Sequence, residues 1–220
     1  MNKIKLLYDV VKTMKDKEVF NGAVKVEVQK DQTKIFFLQN EFEKNLVTGQ
    51  TKAKISTDLD YEGKKVKHES NTEFTRQYPA ESRRHEFMKH MLRHHAANSG
   101  GIKRKLNKLA FAFSILNSMQ AEEQDDKTII ISLQARDLPE EMKALIREKI
   151  SHADTTCHHH GDHVFMKEFC SMENHNFTFN MFINKNYEVE KIIMDFDGNQ
   201  KDDQNEQHKF KAMAELSFAW

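Results

Sequence analysis

The spacing of apolar residues changes near the start of the chain from a helical period to a strand period. Apolar residues first recur at intervals of three and four, at Ile4, Leu7, Val11 and Met14. This spacing predicts an amphipathic helix over 3–18 with one buried stripe. After Asn21-Gly22 the period becomes two, because valines alternate with charged residues over 24–28. The chain therefore begins with a helix that is followed by a half-buried strand.

Alternating segments then follow one another without interruption. The pattern predicts strands at about 33–44, 50–61 and 64–74. Asn45 to Gly49 and Glu62-Gly63 separate them, and both have the composition of hairpin turns. There is no room between these strands for crossover helices, so the sheet is expected to be antiparallel.

The second half of the chain combines helical and strand patterns. Pro79 ends the meander, and Leu138-Pro139 begins a helix that reaches about residue 151. Two further helices are predicted at about 80–97 and 102–120, and strands at 127–134, 164–170, 176–184, 187–197 and 207–219. This order predicts a single α+β domain over 1–220 with a helical insertion at about 79–121 between two strand-rich halves. We expect a long curved antiparallel sheet, a half-barrel, with helices packed on one face.

Composition narrows the possible classes of protein. The 220 residues are 38% hydrophobic and 31% charged, with a mean hydropathy of −0.76. No apolar run approaches the length of a membrane span, and charged residues interrupt the N-terminal segment where a secretory signal needs an apolar core. Two cysteines do not make a disulfide framework. We therefore expect a cytoplasmic protein with reduced thiols.

The order of the predicted elements resembles that of a known superfamily. A leading helix, a meander of long strands, a helical interruption and closing strands that include NKNYEVEKIIMDF at 184–196 are similar to the LolA-like half-barrel of lipoprotein carriers and related lipid-binding proteins. The resemblance covers most of the chain and rests on element order and pattern. It implies a curved sheet whose concave face shelters an apolar ligand beneath a helical lid.

The predicted helix at 102–120 is apolar on two sides. One stripe comprises Ile102, Leu106, Leu109, Phe113 and Leu116, and a second comprises Phe111, Ile115 and Met119. Such a helix lies between two layers or faces a cavity. We therefore predict that a hydrophobic small molecule or lipid contacts Leu109, Phe111, Phe113, Ile115, Leu116 and Met119. The alternative explanation is an ordinary core helix packed on a sheet.

Two groups of residues have the composition of metal ligands. The segment 152–170 is rich in Cys and His and offers a Cys₂His₂ set of Cys157, His160, His163 and Cys170, which suits zinc or another divalent transition metal. A secondary candidate comprises Glu86, His90 and His94, which lie at i, i+4 and i+8 on the predicted helix. The alternatives are an exposed polar loop for the first group and partly buried or solvated histidines for the second.

Positive charge is concentrated in one segment of an otherwise balanced chain. Residues 76–108 contain nine Lys and Arg against two acidic residues, a local charge of +7, while the net charge of the chain is 0. The predicted contact residues are Arg83, Arg84, Lys89, Arg93, Lys103, Arg104 and Lys105. An anionic membrane surface or an acidic protein suits this segment. The pI of about 7.2 argues against a nucleic-acid partner. The alternative is neutralisation by the acidic remainder of the chain.

Enzyme signatures are mostly missing from the sequence. It has no nucleophile elbow, P-loop or dinucleotide-binding glycine motif. The first hypothesis is therefore a non-enzymatic protein that binds a hydrophobic or lipid-like ligand between its sheet and the helix at 102–120. The second is a metal-binding or metal-sensing protein that uses the Cys/His loop 152–170. The third is a protein that docks to a partner or a membrane through the basic helices at 80–108.

Overall fold

Nine antiparallel strands and an N-terminal helix make up most of the computed structural model, which describes residues 2–61, 63–75, 113–140, 143–144, 173–201 and 206–220. The helix α1 spans Lys3–Lys15. The strands are β1 Val19–Lys30, β2 Thr33–Asn45, β3 Gln50–Tyr61, β4 Lys64–Thr75, β5 Gln120–Glu123, β6 Ile129–Gln134, β7 Glu173–Ile183, β8 Val189–Lys201 and β9 Gln207–Ala219. The other described elements are helical segments at 113–118 and at 140 and 143–144 and a 3₁₀ turn at Ala135–Asp137.

The strands form one open sheet in the order β4-β3-β2-β1-β9-β8-β7-β6-β5. All of the pairs are antiparallel, as the sequence predicts. The first strand and the last lie side by side, with Asn21 opposite Ala219 at one end and Lys30 opposite Phe210 at the other. This β1–β9 seam joins one meander from each half of the chain into a single sheet.

Tight turns fix the register of the first meander. Asp31 and Gln32 connect β1 to β2 with φ of 49° and 67°, the paired positive values of a two-residue hairpin turn whose twist matches that of the strands. Between β2 and β3, the side-chain oxygen of Asn45 accepts hydrogen bonds from the backbone N–H groups of Val47 and Thr48. Gly49 follows with φ of 75°, a conformation that favours glycine.

Gly22 lies in the seam, where two strands come very close. A Cβ on Gly22 would collide with the backbone carbonyl of Ser217 and the ring of Phe42. Beside this point the rings of Phe218 and Trp220 stack with their centroids 5.2 Å apart, and the indole N–H of Trp220 donates to the carbonyl of Val189 at 2.8 Å. Glycine therefore allows the close packing that brings the two chain ends together.

Helix α1 packs on the sheet through a different stripe from the predicted one. Leu6 and Val10 are buried, while Ile4 and Val11, which were expected to be buried, are 57% and 49% exposed. Leu6 and Val10 belong to a core cluster with Ile129, Ile131, Ile183 and Val189, and Leu7 and Met14 pack against it. At 100° per residue Val10 lies about 100° from Val11 around the helix. The helix has two neighbouring apolar arcs. The arc with Leu6 and Val10 faces the sheet, and Ile4 and Val11 lie on the flank of the helix.

Polar contacts hold both ends of α1. At the start, the side-chain oxygen of Asn2 accepts from the N–H groups of Ile4 and Lys5, which caps the helix. The ammonium of Lys3 donates to the carbonyls of Leu116, Asn117 and Met119 at the C-terminal end of the segment 113–118. Cationic groups are favourable at such an end, because the last carbonyls of a helix have no partners within it.

At the other end of α1, Lys17 forms an ion pair with Glu188 in the turn between β7 and β8. Hydrogen bonds from the side chains of Asn184 and then Lys17 hold the pKa of Glu188 below its usual range. The ammonium of Lys17 also lies 4.8 Å from the centroid of the Trp220 ring. These contacts connect α1 to the end of the chain.

The structure confirms most of the predicted strands and corrects several boundaries. β1 begins at Val19, so Asn21-Gly22 lies within the strand and does not precede it. The helix predicted to reach residue 120 ends at 118, and β5 was not predicted because its sequence, QAEE, has no alternating apolar pattern. The predicted helix at 80–97, most of those at 102–120 and 138–151, and the strand at 164–170 lie outside the described residues.

In the described ranges, helices long and apolar enough to cross a membrane are not found.

Asp31 connects the first hairpin turn to the start of β9. Its backbone N–H donates to the carbonyl of Lys209 at 2.9 Å, and its Oδ1 accepts from the N–H of Lys209 at 2.8 Å. Its Oδ2 lies 2.7 Å from Nδ1 of His208. The hydrogen bond from Lys209, followed by the one with His208, lowers the pKa of the Asp31 carboxyl. The carboxylate is therefore more stable in the folded chain than in the unfolded chain.

We predict that replacing Asp31 with Asn removes an acid-sensitive part of the stability. Because the folded pKa lies below the unfolded value of ~3.9, the contribution is present above that value and is lost as pH falls through the folded pKa. The side chain is 50% exposed, so solvent screening limits the expected loss at pH 7 to about 1 kcal/mol or less. Asparagine tolerates the positive φ at this position, so the backbone is not strained.

Urea unfolding of the wild type and of Asp31→Asn at several pH values between about 7 and 2.5 checks this prediction. The difference in free energy of unfolding between them is expected to shrink in acid. Asp125→Asn, on the exposed turn between β5 and β6, is the control and should remain within about 0.5 kcal/mol of wild type. A difference for Asp31→Asn that is the same at every pH would contradict the assignment.

Candidate functional site

One side of the sheet is apolar along most of its width. Directly opposed residues of an antiparallel pair share a face, so the registers define rows of side chains across the sheet. One such row runs from β4 to β6 through His68, Thr57, Leu38, Val26, Ala214, Met194, Phe179 and Leu133. The next runs from β4 to β5 through Ser70, Ile55, Asn40, Val24, Leu216, Ile192, Met181, Ile131 and Ala121. We call this side the apolar face.

The polarity of the apolar face changes along these rows. On β2, β1, β9, β8, β7 and β6, which are consecutive in the sheet, these rows consist almost entirely of aliphatic, aromatic and methionine side chains. Asn40 of β2 is an exception. On β3 and β4 it includes Thr57, His68 and Ser70. The face therefore offers a broad apolar surface with a more polar margin at one side.

The opposite side of the sheet, the charged face, has a different composition. Its central row runs from β4 to β6 through Glu69, Ser56, Gln39, Lys25, Glu215, Ile193, Asn180 and Ser132. Cross-strand ion pairs occur here, with Lys67 3.3 Å from Asp58 and Lys191 4.0 Å from Glu215. A face of this kind is suited to water, whereas the apolar face needs a cover.

Two buried clusters that include residues of the apolar face also contain helical residues. The core cluster under α1 includes Ile131 and Ile183, and Met181, Ile192 and Phe218 pack against it. A second cluster, built on Leu133 and Leu138, is contacted by Ile115 and Met119 from the segment around 113–118. Both clusters lie at the side of the sheet that β8, β7, β6 and β5 form. Phe218 of β9 lies at the margin of the cluster under α1.

Apolar groups also remain accessible beside these clusters. Met194, in the middle of β8 on the apolar face, is 49% exposed. On α1, Ile4, Tyr8 and Val11 are 57%, 67% and 49% exposed and lie on one flank of the helix. Methionine adapts its shape readily, which suits contact with apolar molecules of variable form.

Asn40 is a polar residue within this apolar surface. It lies between Val24 of β1 and Ile55 of β3, and Leu38 and Phe42 flank it along β2. In the described structure its side-chain oxygen is buried and has no hydrogen-bond partner. Because an unpaired buried carbonyl costs about 1–3 kcal/mol, we expect its donor to come from outside the described residues.

A depression of about 470 Å³ lies elsewhere, around the β1–β9 seam. Its walls include Glu41 and Lys54, which are opposed on the charged face, as are Glu43 and Lys52. These opposite charges balance one another, so the depression has little net charge to attract an ionic ligand. The volume is open to solvent and does not include Met194 or the segment 113–118.

The predicted ligand residues lie in different environments in the structure. Ile115 and Met119 pack against the apolar face in the Leu133 cluster. Phe113 is 43% exposed, and Leu116 is half-buried with its carbonyl bonded to Lys3. Leu109 and Phe111 lie outside the described residues. Sequence reasoning missed Asn40 and Met194, since alternation assigns each residue to a side but does not reveal its neighbours across the sheet.

The predicted metal and partner sites lie outside the described residues. This holds for Cys157, His160, His163 and Cys170, for Glu86, His90 and His94, and for Arg83, Arg84, Lys89, Arg93, Lys103, Arg104 and Lys105. Within the ranges that the structure describes, there is no group of three or more Cys, His, Asp or Glu side chains placed to hold a metal ion. The metal and basic-segment hypotheses therefore stay predictions.

Comparisons with known proteins do not identify a family. No family model matches this chain, and no curated protein is significantly similar to it. Among solved structures, the chain aligns with a bifunctional dehydratase-cyclase domain from ambruticin biosynthesis at 10% identity, over 99% of this chain and 79% of that one. The TM-score is 0.16, so this likeness carries no argument about fold or function.

We predict that replacing Asn40 with Leu does not weaken the ligand-free fold. The change removes a buried carbonyl for which the described residues provide no partner and adds apolar surface among Val24, Leu38 and Ile55, so the free energy of unfolding is expected to rise by about 1 kcal/mol. Chemical denaturation of the purified protein measures this difference.

Asn71→Leu is the matched control, because Asn71 is exposed on the charged face of β4 and its replacement should change stability by no more than about 0.5 kcal/mol. A clear loss of stability in Asn40→Leu would show that the Asn40 amide is satisfied in the folded chain.

Proposed function

We propose that this protein is a non-enzymatic binding protein that holds a hydrophobic or lipid-like ligand on the apolar face, between the sheet and the helix predicted at 102–120. The observation that carries the proposal is the asymmetry of the sheet. Rows of aliphatic, aromatic and methionine side chains cross one face, while the other face is charged. Large exposed apolar patches mark binding surfaces in soluble proteins.

The proposed architecture is a half-barrel of the LolA-like kind, curved around the apolar face with its helices on that side. Long antiparallel strands twist and coil, which favours such curvature. The contacts of α1 and of Ile115 and Met119 support a helical layer on the apolar face. In this arrangement the ligand lies beside these helical contacts, where Met194 and the flank of α1 are accessible.

The proposed ligand is amphipathic. An apolar chain suits the part of the apolar face formed by β1, β9 and β8, and a hydroxyl, amide or acid group suits the polar margin beside it. Thr57, His68 and Ser70 extend this polar margin toward β4. Such a ligand covers apolar side chains and keeps its polar group among polar side chains at the same time.

We predict that replacing Met194 with Lys weakens the binding of an environment-sensitive fluorescent fatty acid by about tenfold or more. A charged group at the centre of the apolar face must be desolvated when the ligand covers it, which costs binding free energy. Met194 is 49% exposed, so the fold should tolerate the change. Fluorescence titration of delipidated protein measures the dissociation constant, which is expected to be micromolar for the wild type.

The chain offers a matched control in Met213. Met213 is 40% exposed and lies on the charged face of β9, opposite Glu27 and Asp195. Met213→Lys introduces the same group on the other side of the sheet and is expected to leave probe affinity unchanged. Absence of probe binding in the wild type, or equal losses in the two variants, would overturn the proposal.

A further inference from the structure

The two edges of the sheet differ greatly in length. β5 forms one edge with four residues, while β4 forms the other with twelve and has β3 as its neighbour among the described strands. An edge strand presents backbone N–H and C=O groups that can pair with another strand. Short edges limit such pairing, and the β4 edge is long enough to support it.

The exposure of β4 fits a strand that is open to a further partner. Its residues are exposed except for Ser70, which is half-buried near the middle. Val66 and Phe74, the two large apolar residues of β4, are 54% and 48% exposed. Both lie on the apolar face, opposite Leu59 and Thr51 of β3. They stand at equal distances, four residues, on either side of Ser70.

We propose that β4 pairs antiparallel with β4 of a second copy of this chain, about a two-fold axis that passes through Ser70. In this register Val66 of each copy lies opposite Phe74 of the other, so that the exposed apolar side chains cover one another. On the charged face, Lys67 of each copy lies opposite Glu73 of the other. The two sheets join into one, and the apolar face continues across both copies.

Charge along β4 favours the antiparallel direction. Its first half contains Lys64, Lys65 and Lys67 with Glu69 at its end, and its second half contains Glu73. Antiparallel pairing places the basic half of one copy beside the acidic half of the other, whereas parallel pairing places like charges together. Lys67 remains 81% exposed while its ammonium lies 3.3 Å from Asp58, so it can also approach Glu73 of the second copy.

The same side chains select the register. Centring the axis on Glu69 places the two Glu69 carboxylates opposite each other and moves Phe74 opposite Lys64. Centring it on Asn71 places Glu69 opposite Glu73. A register whose midpoint falls between two residues places residues of opposite faces across from each other. One sheet is then turned over, and the apolar face of one copy continues into the charged face of the other. Pairing about Ser70 avoids all of these conflicts.

Disulfide trapping tests the register directly. Ser70→Cys, in a background where Cys157 and Cys170 are Ser, is expected to form a covalent dimer under mild oxidation. Opposed residues of a strand pair have Cβ atoms about 4.5–5.5 Å apart, close to the separation in a disulfide. Thr72→Cys is the control, because Thr72 lies on the same face but is about 13 Å along the strands from its counterpart in the other copy.

Charge reversal tests the same interface in solution. Lys67→Glu and Glu73→Lys alone are each expected to raise the dimer dissociation constant about tenfold or more, because the repulsion occurs twice in each dimer. The double variant restores both pairs and should return to within about threefold of wild type. Sedimentation velocity between about 1 and 200 µM measures these constants, and circular dichroism confirms that each variant is folded.

Three results would overturn the proposal: a wild-type protein that stays monomeric at the highest concentration, a dimer that is unchanged by the single reversals, or equal trapping of Ser70→Cys and Thr72→Cys. None of these results depends on whether the apolar face binds a ligand.

Discussion

The pairing of β1 with β9 is the interaction on which the rest of the described structure depends. It brings residues 21–30 beside 210–219 and converts two separate meanders into one sheet. Each meander alone would leave an apolar edge strand without a neighbour. At one end of this pair Gly22 allows Ser217 and Phe42 to approach. At the other end Asp31 connects the first turn to Lys209. Contacts between such distant parts of a sequence form slowly, since a long loop must be closed first.

The seam also explains why the two faces of the sheet have distinct chemistry. Val24, Val26 and Val28 of β1 lie opposite Leu216, Ala214 and Ala212 of β9, so two alternating patterns from opposite ends of the chain align in phase. A shift of one residue in this pairing would move the apolar set of one meander to the charged face of the other. The apolar face therefore exists only as a joint product of both halves, and so does the binding surface that we propose on it.

The sequence predicted the elements better than their arrangement. Strict alternation identified the long strands, and hairpin residues identified their separators, because both signals are local. The arc of α1 that meets the sheet was predicted incorrectly, since Ile4 and Val11 are as apolar as Leu6 and Val10 and the choice depends on where the helix lies. β5 was missed because a short polar strand is stabilised by its pairing with β6 and has no pattern of its own. Asn40 and Met194 became candidates only when the cross-strand registers revealed their neighbours.

The central claim is that the apolar face is a binding surface for an amphipathic molecule, and native mass spectrometry of freshly purified protein tests it most directly. We predict that some chains carry a non-covalent adduct with the mass of a lipid or similar amphiphile, in addition to the chain mass of 25.9 kDa. The adduct should be released on denaturation and should be depleted in Met194→Lys but retained in Met213→Lys. Bare chains from every preparation, which stay bare after incubation with fatty acids and fatty alcohols, would contradict it.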